Sequence, residues 1–253
     1  MERFYVEPQA FGQREARITG EEFNHLKKVL RLNAGDQVEI FDGTGVGFGG
    51  QLISVGQGEA VVSLDEPVLQ KRDSSLKVCL AQGIPKGEKM EWIVQKATEL
   101  GVAAILPLEL SRCVVRLEGD KKRQERQARW QKVAREAARQ CGRLTVPEVM
   151  APMDLAAFVR QIESSDLLLI PWEEGGQPLS KFFEEDGLSP EGKKIYMMIG
   201  PEGGISEKEV EQGRQAGGRT LTLGPRILRT ETAGLMLLSV LQYQWGDTGG
   251  RIG

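Results

Sequence analysis

The spacing of apolar residues changes near residue 75. Before that point, short β-branched and aromatic runs alternate with Gly and Asp turns, so residues 3–6, 37–41, 47–55 and 60–64 are predicted strands, joined by turns at 34–36 and 42–45. One helix interrupts them. Thr19 is its predicted N-cap, Glu22 the capping-box partner, and Phe23, Leu26, Val29 and Leu30 its apolar stripe. Short strands with a single helix over about 70 residues predict a small β-barrel, a shape often used to present a nucleic-acid surface.

After residue 75 the pattern is that of an α/β domain. Near-continuous apolar strands are predicted at 76–81, 102–108, 167–170, 195–199 and 220–223. Helices are predicted at 87–100, about 120–141, about 154–162, 179–184, 207–216 and 231–245. Such strands imply a parallel sheet covered on both faces. The polar stretch at 70–75 marks the expected boundary, giving domains 1–72 and 73–247 and a flexible tail 248–253.

Ligands of open parallel sheets bind at the carboxyl ends of the strands. Three strand exits carry unusual turns: Ile170-Pro171-Trp172, Ile199-Gly200-Pro201-Glu202-Gly203-Gly204 and Leu223-Gly224-Pro225. Glycine lets main chain approach a ligand and proline fixes the turn that follows. The 200–206 loop lacks the lysine and the glycine spacing of the phosphate-binding motifs. Glu202 would repel a polyphosphate and suits a neutral or cationic ligand, and an adenosine sulfonium such as S-adenosyl-L-methionine has that sign.

Composition sharpens the picture at two points. With 253 residues, 40% of them apolar, and three dispersed cysteines, the chain reads as a folded, reduced protein. No leader, bilayer-spanning run or metal-ligand spacing is present in the sequence, so a soluble cytoplasmic protein without a membrane or metal partner is expected. The net charge of −3 is unevenly placed: residues 112–143 hold eleven Lys/Arg against four Asp/Glu. That run fits a local polyanion contact, and equally a solvated, salt-bridged helix. Arg123 and Arg126 belong to a candidate phosphate-tracking surface, to which Lys27, Lys28 and Arg31 of the first module can add. The spacing of Glu136, Gln140 and Arg143 puts them on one helix face. His25, the single histidine, is expected to pack or to touch RNA, since its helix lies far in sequence from the glycine turns.

Five ordered motifs carry a resemblance. Gly200-Pro201-Glu202-Gly203-Gly204, then Leu223-Gly224-x-Arg226-Ile227-Leu228-Arg229-x-Glu231-Thr232-Ala233, resemble the signature of SPOUT methyltransferases, specifically the RsmE family of 16S ribosomal RNA methyltransferases. His25-Leu26-x-x-Val29-Leu30-Arg31, Lys96-x-x-Glu99-Leu100-Gly101-Val102 and Glu136-Ala137-Ala138-x-Gln140-x-x-Arg143 are similar to further family motifs. Asn24 and Arg139 depart from the residues common at their positions.

The resemblance implies a PUA-like N-terminal domain, a SPOUT domain with a deep trefoil knot, and a homodimer whose active site lies at the subunit interface. It implies methylation of N3 of one uridine in the decoding region of 16S rRNA, within the small (30S) ribosomal subunit. It adds Ile227, Leu228, Arg229 and Thr230 to the cofactor contacts. Arg229 is the expected stabiliser of developing anionic charge, with Glu231 bracing it, and Glu136 is expected to orient Arg143 and Gln140 toward the RNA, beside Arg139. A SPOUT enzyme acting on another RNA, such as a transfer RNA ribose, and a catalytically silent assembly factor stay open as alternatives.

Overall fold

The computed structural model describes residues 1–68, 73–185 and 188–249. The expected linker at 70–75 lies outside the described residues as far as residue 72, and the expected tail does so from residue 250 onward. Two compact units form, one from Met1–Asp73 with Arg135–Val146, the other from Ser74–Ala134 with Pro147–Gly253.

In the first unit, strands β1 (Glu2–Tyr5), β2 (Glu15–Thr19), β3 (Gln37–Phe41), β4 (Gly47–Val55) and β5 (Glu59–Pro67) form a sheet in the order β1-β3-β4-β5-β2. β1 runs parallel to β3, and the other pairs are antiparallel. Strand β2 has no counterpart among the predicted strands. Its alternation is real, with Ala16 and Ile18 buried between exposed Glu15, Arg17 and Thr19, but two apolar residues are a weak periodic signal. They join Phe4, Leu26, Ile40 and Val62 in one core.

The helix differs from its prediction in two ways. α1 (Gly20–Asn24) continues as a π-helical turn over His25–Leu30. The wider turn, with i→i+5 bonding, rotates Val29 out of the stripe to 65% exposure, while Phe23 and Leu26 stay buried. Thr19 makes no side-chain cap. Glu22 stands instead near Glu136, Arg139 and Arg135, where burial and the Glu136 charge push its carboxyl up to about 7. His25 packs edge-on against Phe4.

The second unit holds β6 (Lys77–Gly83), β7 (Ala104–Leu108), β8 (Glu148–Val149), β9 (Leu167–Pro171), β10 (Gln177–Pro178), β11 (Lys194–Ile199) and β12 (Arg219–Thr222). All pair in parallel, in the order β10-β12-β9-β11-β6-β7-β8. The two-residue strands β8 and β10 are too short to show a period in the sequence. The helices are α2 (Lys89–Glu99), α3 (Asp120–Cys141), α4 (Leu155–Val159), α5 (Leu179–Phe183), α6 (Glu207–Gln215) and α7 (Thr230–Trp245). At the start of α6, Glu209 accepts hydrogen bonds from Ser206 N at 3.0 Å and Oγ at 2.6 Å, a capping box, and from Ser111 N at 2.6 Å.

α3 ends at Cys141, as predicted, two residues short of the third member of the expected face. Gly142 follows at φ 88°, a left-handed stop, so Glu136 and Gln140 share the helix while Arg143 lies beyond it. Arg143 is 6% exposed and its Nε stands 2.8 Å from Asp73, which also accepts from the Leu144 and Thr145 amides at 3.1 Å. Arg3 pairs with Glu39 at 2.8 Å and donates to the carbonyls of Arg139 and Arg143, fastening the end of α3 to the first sheet. Among the described residues no helix is long and apolar enough to cross a membrane.

Candidate active site

Strands β12, β9 and β11 lie side by side and run parallel, so their carboxyl ends open on one edge of the sheet. The chain leaving them lines a cavity of about 380 Å³: Pro171 to Glu173 from the end of β9, Ile199 to Ile205 from the end of β11, and Ile227 to Thr230 at the start of α7. A neighbouring cavity of about 140 Å³ shares Pro171, Trp172 and Leu228 with it and is completed by Thr222 to Arg226. Thus Pro171, Ile199, Gly200, Pro201, Glu202, Gly203, Ile227, Leu228, Arg229 and Thr230 meet around one space, and Leu223 and Gly224 line the adjoining one. Ile170 is fully buried beneath them and lines neither.

The turns nest because side chains are missing where they touch. A Cβ on Gly83, at the end of β6, would sit 2.7 Å from Pro201, and one on Gly200 would sit 2.7 Å from the Gly204 carbonyl carbon. Both distances are shorter than real contacts allow, so only glycine lets the 83 and 200 turns pack. A buried relay then fixes them. Gln82 Nε2 donates to Thr230 Oγ1 at 2.8 Å, and Thr230 Oγ1 donates to the Gly200 carbonyl at 2.6 Å. From the outer side Arg112 donates to the Gly203 carbonyl at 2.9 Å.

The electrostatics centre on Lys89, at the start of α2. Its Nζ lies 2.9 Å from Glu202 and 3.6 Å from Glu231. The hydrogen bond to Glu202 raises the Lys89 pKa. Partial burial would raise that of Glu202, but the bonds from Lys89 and the Lys86 amide outweigh it and hold the carboxyl below its usual range. The sequence reading treated Glu202 as a bare loop anion, whereas its charge is met internally by Lys89. Glu231 Oε2 is buried and makes no hydrogen bond, and Arg229, with its side chain 82% exposed, stands 4.0 Å from Glu231.

Lys89 and Glu173 are pocket residues with no place in the sequence expectations, whereas Trp172 belongs to the expected 170–172 strand exit. Following the β6 and β9 exits a few residues further would have flagged both. Gln82 stands directly after the predicted strand 76–81, but no residue type or spacing there marks it as the support of Thr230. The remaining candidates lie elsewhere. Glu136 and Arg143 belong to the first unit and line neither cavity. Arg139 pairs with Glu136 at 2.8 Å, Gln140 is exposed, and Arg123 is held by Glu109 at 2.6 Å. Lys28 and Arg31 are exposed, while Lys27 donates to the Gly56 carbonyl and lies over the Phe23 ring.

Comparison with known proteins decides the family. The RNA methyltransferase domain model matches residues 72–242, and the RNA methyltransferase PUA domain model matches residues 18–65. Ribosomal RNA small subunit methyltransferase E of Bacillus subtilis is 39% identical over 96% of this chain and 97% of its own length. The chain belongs to the ribosomal RNA small subunit methyltransferase E family. Another relative of that name, from Synechocystis, is 31% identical over 94% of this chain and 76% of its own. The solved Neisseria gonorrhoeae methyltransferase E, bound to S-adenosyl methionine, superposes with a TM-score of 0.88 at 34% identity, covering 98% of this chain and 99% of that one.

The cavity fits such a cofactor on its own evidence. Its volume lies within the usual range for small-ligand pockets. Glu173 and Glu202 line it and offer acceptors suited to a cationic or hydrogen-bond-donating group, while Glu231, 3.6 Å from Lys89 Nζ, is not among the lining residues. The family member therefore carries a cofactor-sized, partly acidic pocket lined by the strand-exit turns.

Proposed function

We propose that this protein methylates N3 of a specific uridine in the decoding region of 16S rRNA, using S-adenosylmethionine and acting on the small ribosomal subunit. The observation that carries the reading is the convergence of the β9 and β11 exits and the 227–230 segment that follows β12 on one cavity, with the exposed guanidinium of Arg229 4.0 Å from Glu231. When bound, S-adenosylmethionine supplies a methyl group on a positively charged sulfur.

The chain's own residues supply position and charge. The Gly200 turn, held by Thr230 and Gln82, presents backbone to the cofactor, and the Lys89–Glu202 pair keeps the turn from moving. Uridine N3 is a poor nucleophile until its imide proton leaves, and the negative charge then spreads onto the two flanking carbonyl oxygens. Arg229, exposed at the cavity and braced by Glu231, is the group placed to stabilise that charge. Arg126, Arg139 and Gln140 on α3, with Lys28 and Arg31 in the first unit, are RNA contacts in this reading. Arg143, tied to Asp73, and Glu136, tied to Arg139, position the end of α3.

The active form in this reading is a homodimer, with a knotted cofactor site completed by the second subunit. Its support is an uncovered apolar surface: Tyr243 on α7 is 65% exposed, Trp92 on α2 is 46% exposed, and Leu235, Met236 and Val240 are half-buried. Sedimentation as a monomer at working concentration would contradict that part.

Unmodified small subunits, and naked 16S rRNA in parallel, incubated with the protein and labelled cofactor and mapped by mass spectrometry, test the central reading. Label on N3 of one uridine is expected. Label on a ribose, or none, would overturn it. Binding to the substrate is also expected to fall steeply as salt rises, since cation–phosphate contacts release counterions.

A further inference from the structure

A second pocket lies on the far side of the turn that carries Lys89. It has a volume of about 230 Å³ and a floor of Ile84, Met90, Leu117 and Trp130, all buried. Its rim carries Glu88, Arg126 and Arg129. We propose that this pocket takes the base of an RNA nucleotide flanking the methylated one, with Arg126 on its phosphate. The inference rests on the reading of the protein as an RNA methyltransferase.

Size, charge and placement support it. A cavity of about 150 Å³ already accommodates a benzene ring, so this one has room for a planar base. The floor is apolar, as the face of a base requires, and the rim offers both an anion contact and a hydrogen-bond acceptor. Arg129 is occupied by Glu91 at 2.8 Å and stands 3.8 Å from Glu88. The half-buried Arg126 has no ion-pair or hydrogen-bond partner among the described residues, so its guanidinium is available for a phosphate. The carboxylate of Glu88 is 87% exposed and can accept a base N–H. The surrounding run, 112–143, carries a net charge of +7, which complements the phosphates of RNA and repels a second copy of the same basic surface.

Placement explains why the occupant flanks the target. Lys89 lines the cofactor cavity, while its neighbours Glu88 and Met90 line the second pocket, so the 84–90 turn forms a wall between the two. A second wall is shared as well. Arg112 holds the Gly203 carbonyl of the cofactor turn, Arg116 ties that loop to the carbonyls of Leu110 and Ser111, and Val115 and Leu117 line the second pocket. A base seated here cannot reach the methyl donor through that turn. It can set the register of the strand whose neighbour does.

Two variants test this, Arg126→Gln, which removes the anion contact, and Val115→Phe, which fills the pocket from its half-buried wall. Their cofactor Kd and melting temperature are compared with wild type, and small subunits serve as substrate. Both are expected to raise KM for the subunit about tenfold with kcat and cofactor Kd unchanged, and Arg126→Lys to restore part of the loss. Ultraviolet cross-linking of wild type to the subunit is expected to join a nucleotide to a peptide spanning 113–130, with Val115→Phe abolishing that adduct. Unchanged KM with no such cross-link would overturn the pocket. A ribosomal-protein adduct, or protection that depends on protein concentration alone, would assign it to a protein or to a second copy and also overturn it. Absence of methyl transfer by wild type would defeat the enzymatic reading, while the cross-link would still report on the pocket.

Discussion

Thr230 donates its hydroxyl to the carbonyl of Gly200 across 2.6 Å, joining the first residue of α7 to the exit of β11. The bond fixes the distance between the two cofactor-lining segments, and Gln82, wholly buried, completes it from below. Thr230→Val keeps the shape and removes both bonds. It should cost about 1–3 kcal/mol of stability, since the part-buried Gly200 carbonyl loses its donor and the buried Gln82 amide keeps the Gly83 carbonyl alone, and weaken cofactor binding. Thr230→Ser should retain most of both. Thermal melts with and without cofactor give the answer, and a Val variant that binds as wild type would refute the relay.

Among the described residues, Lys89 is the one cation paired with both Glu202 and Glu231. Lys89→Met leaves the Glu202 and Glu231 carboxylates without their shared cation, so the turn at 201–204 should loosen. Methyl transfer is expected to fall by about tenfold or more, with a larger share in cofactor Kd than in the affinity for RNA. Calorimetry with the cofactor alone separates the two.

Gly83 approaches Pro201 closely enough that any Cβ collides with it at 2.7 Å. Gly83→Ala must push the Pro201 turn outward. Overpacking of this kind costs about 1–3 kcal/mol, and here the displaced atoms form the cofactor wall, so affinity should drop along with the melting temperature. An alanine variant with native affinity would show that the turns do not depend on each other.

Glu22 gives a pH signature confined to the first unit. Its pKa rises from 4.5 to about 7, by burial first and by the Glu136 charge second. The folded state therefore binds the Glu22 proton more tightly than the unfolded state does. That stabilisation is complete below about 4.5 and is lost as pH rises through about 7. Glu22→Gln should remove this fall, leaving the variant relatively more stable than wild type at pH 8. Parallel pH series of melting temperature that superimpose would disprove it.

Arg143 and Asp73 form a largely buried pair. Removing one member strands the other, so Arg143→Ala should destabilise by about 3–5 kcal/mol. Any loss of activity in that variant should track the loss of fold. Activity lost at full stability would instead favour a direct contact with RNA.

Much of this was available from residue order. The strand–helix alternation after residue 75 located every main-sheet strand longer than two residues, because strands buried on both faces are continuous apolar runs. The glycine and proline turns at 171, 200 and 224 marked the pocket, since few other residues fit a strand exit that approaches a ligand. Elsewhere periodicity misled. Val29 matched a 3.6-residue stripe, but the π-turn at 25–30 has a different repeat and exposes it. Arg143 matched a heptad-like spacing, but Gly142 ended the helix first.

The sequence by itself determined where the strands end, which of those ends carry glycine, where positive charge concentrates, and through its ordered motifs the family. Each of these is a property of neighbouring residues or of composition. The tertiary structure decided that β9 lies between β11 and β12, which brings turns some 30 and 60 residues apart around one cavity. It also decided that Lys89 neutralises Glu202 and that Gln82 supports Thr230 from 148 positions away. No local pattern encodes a partner so distant, because the energy of such a contact exists only once the parallel strand order has been chosen.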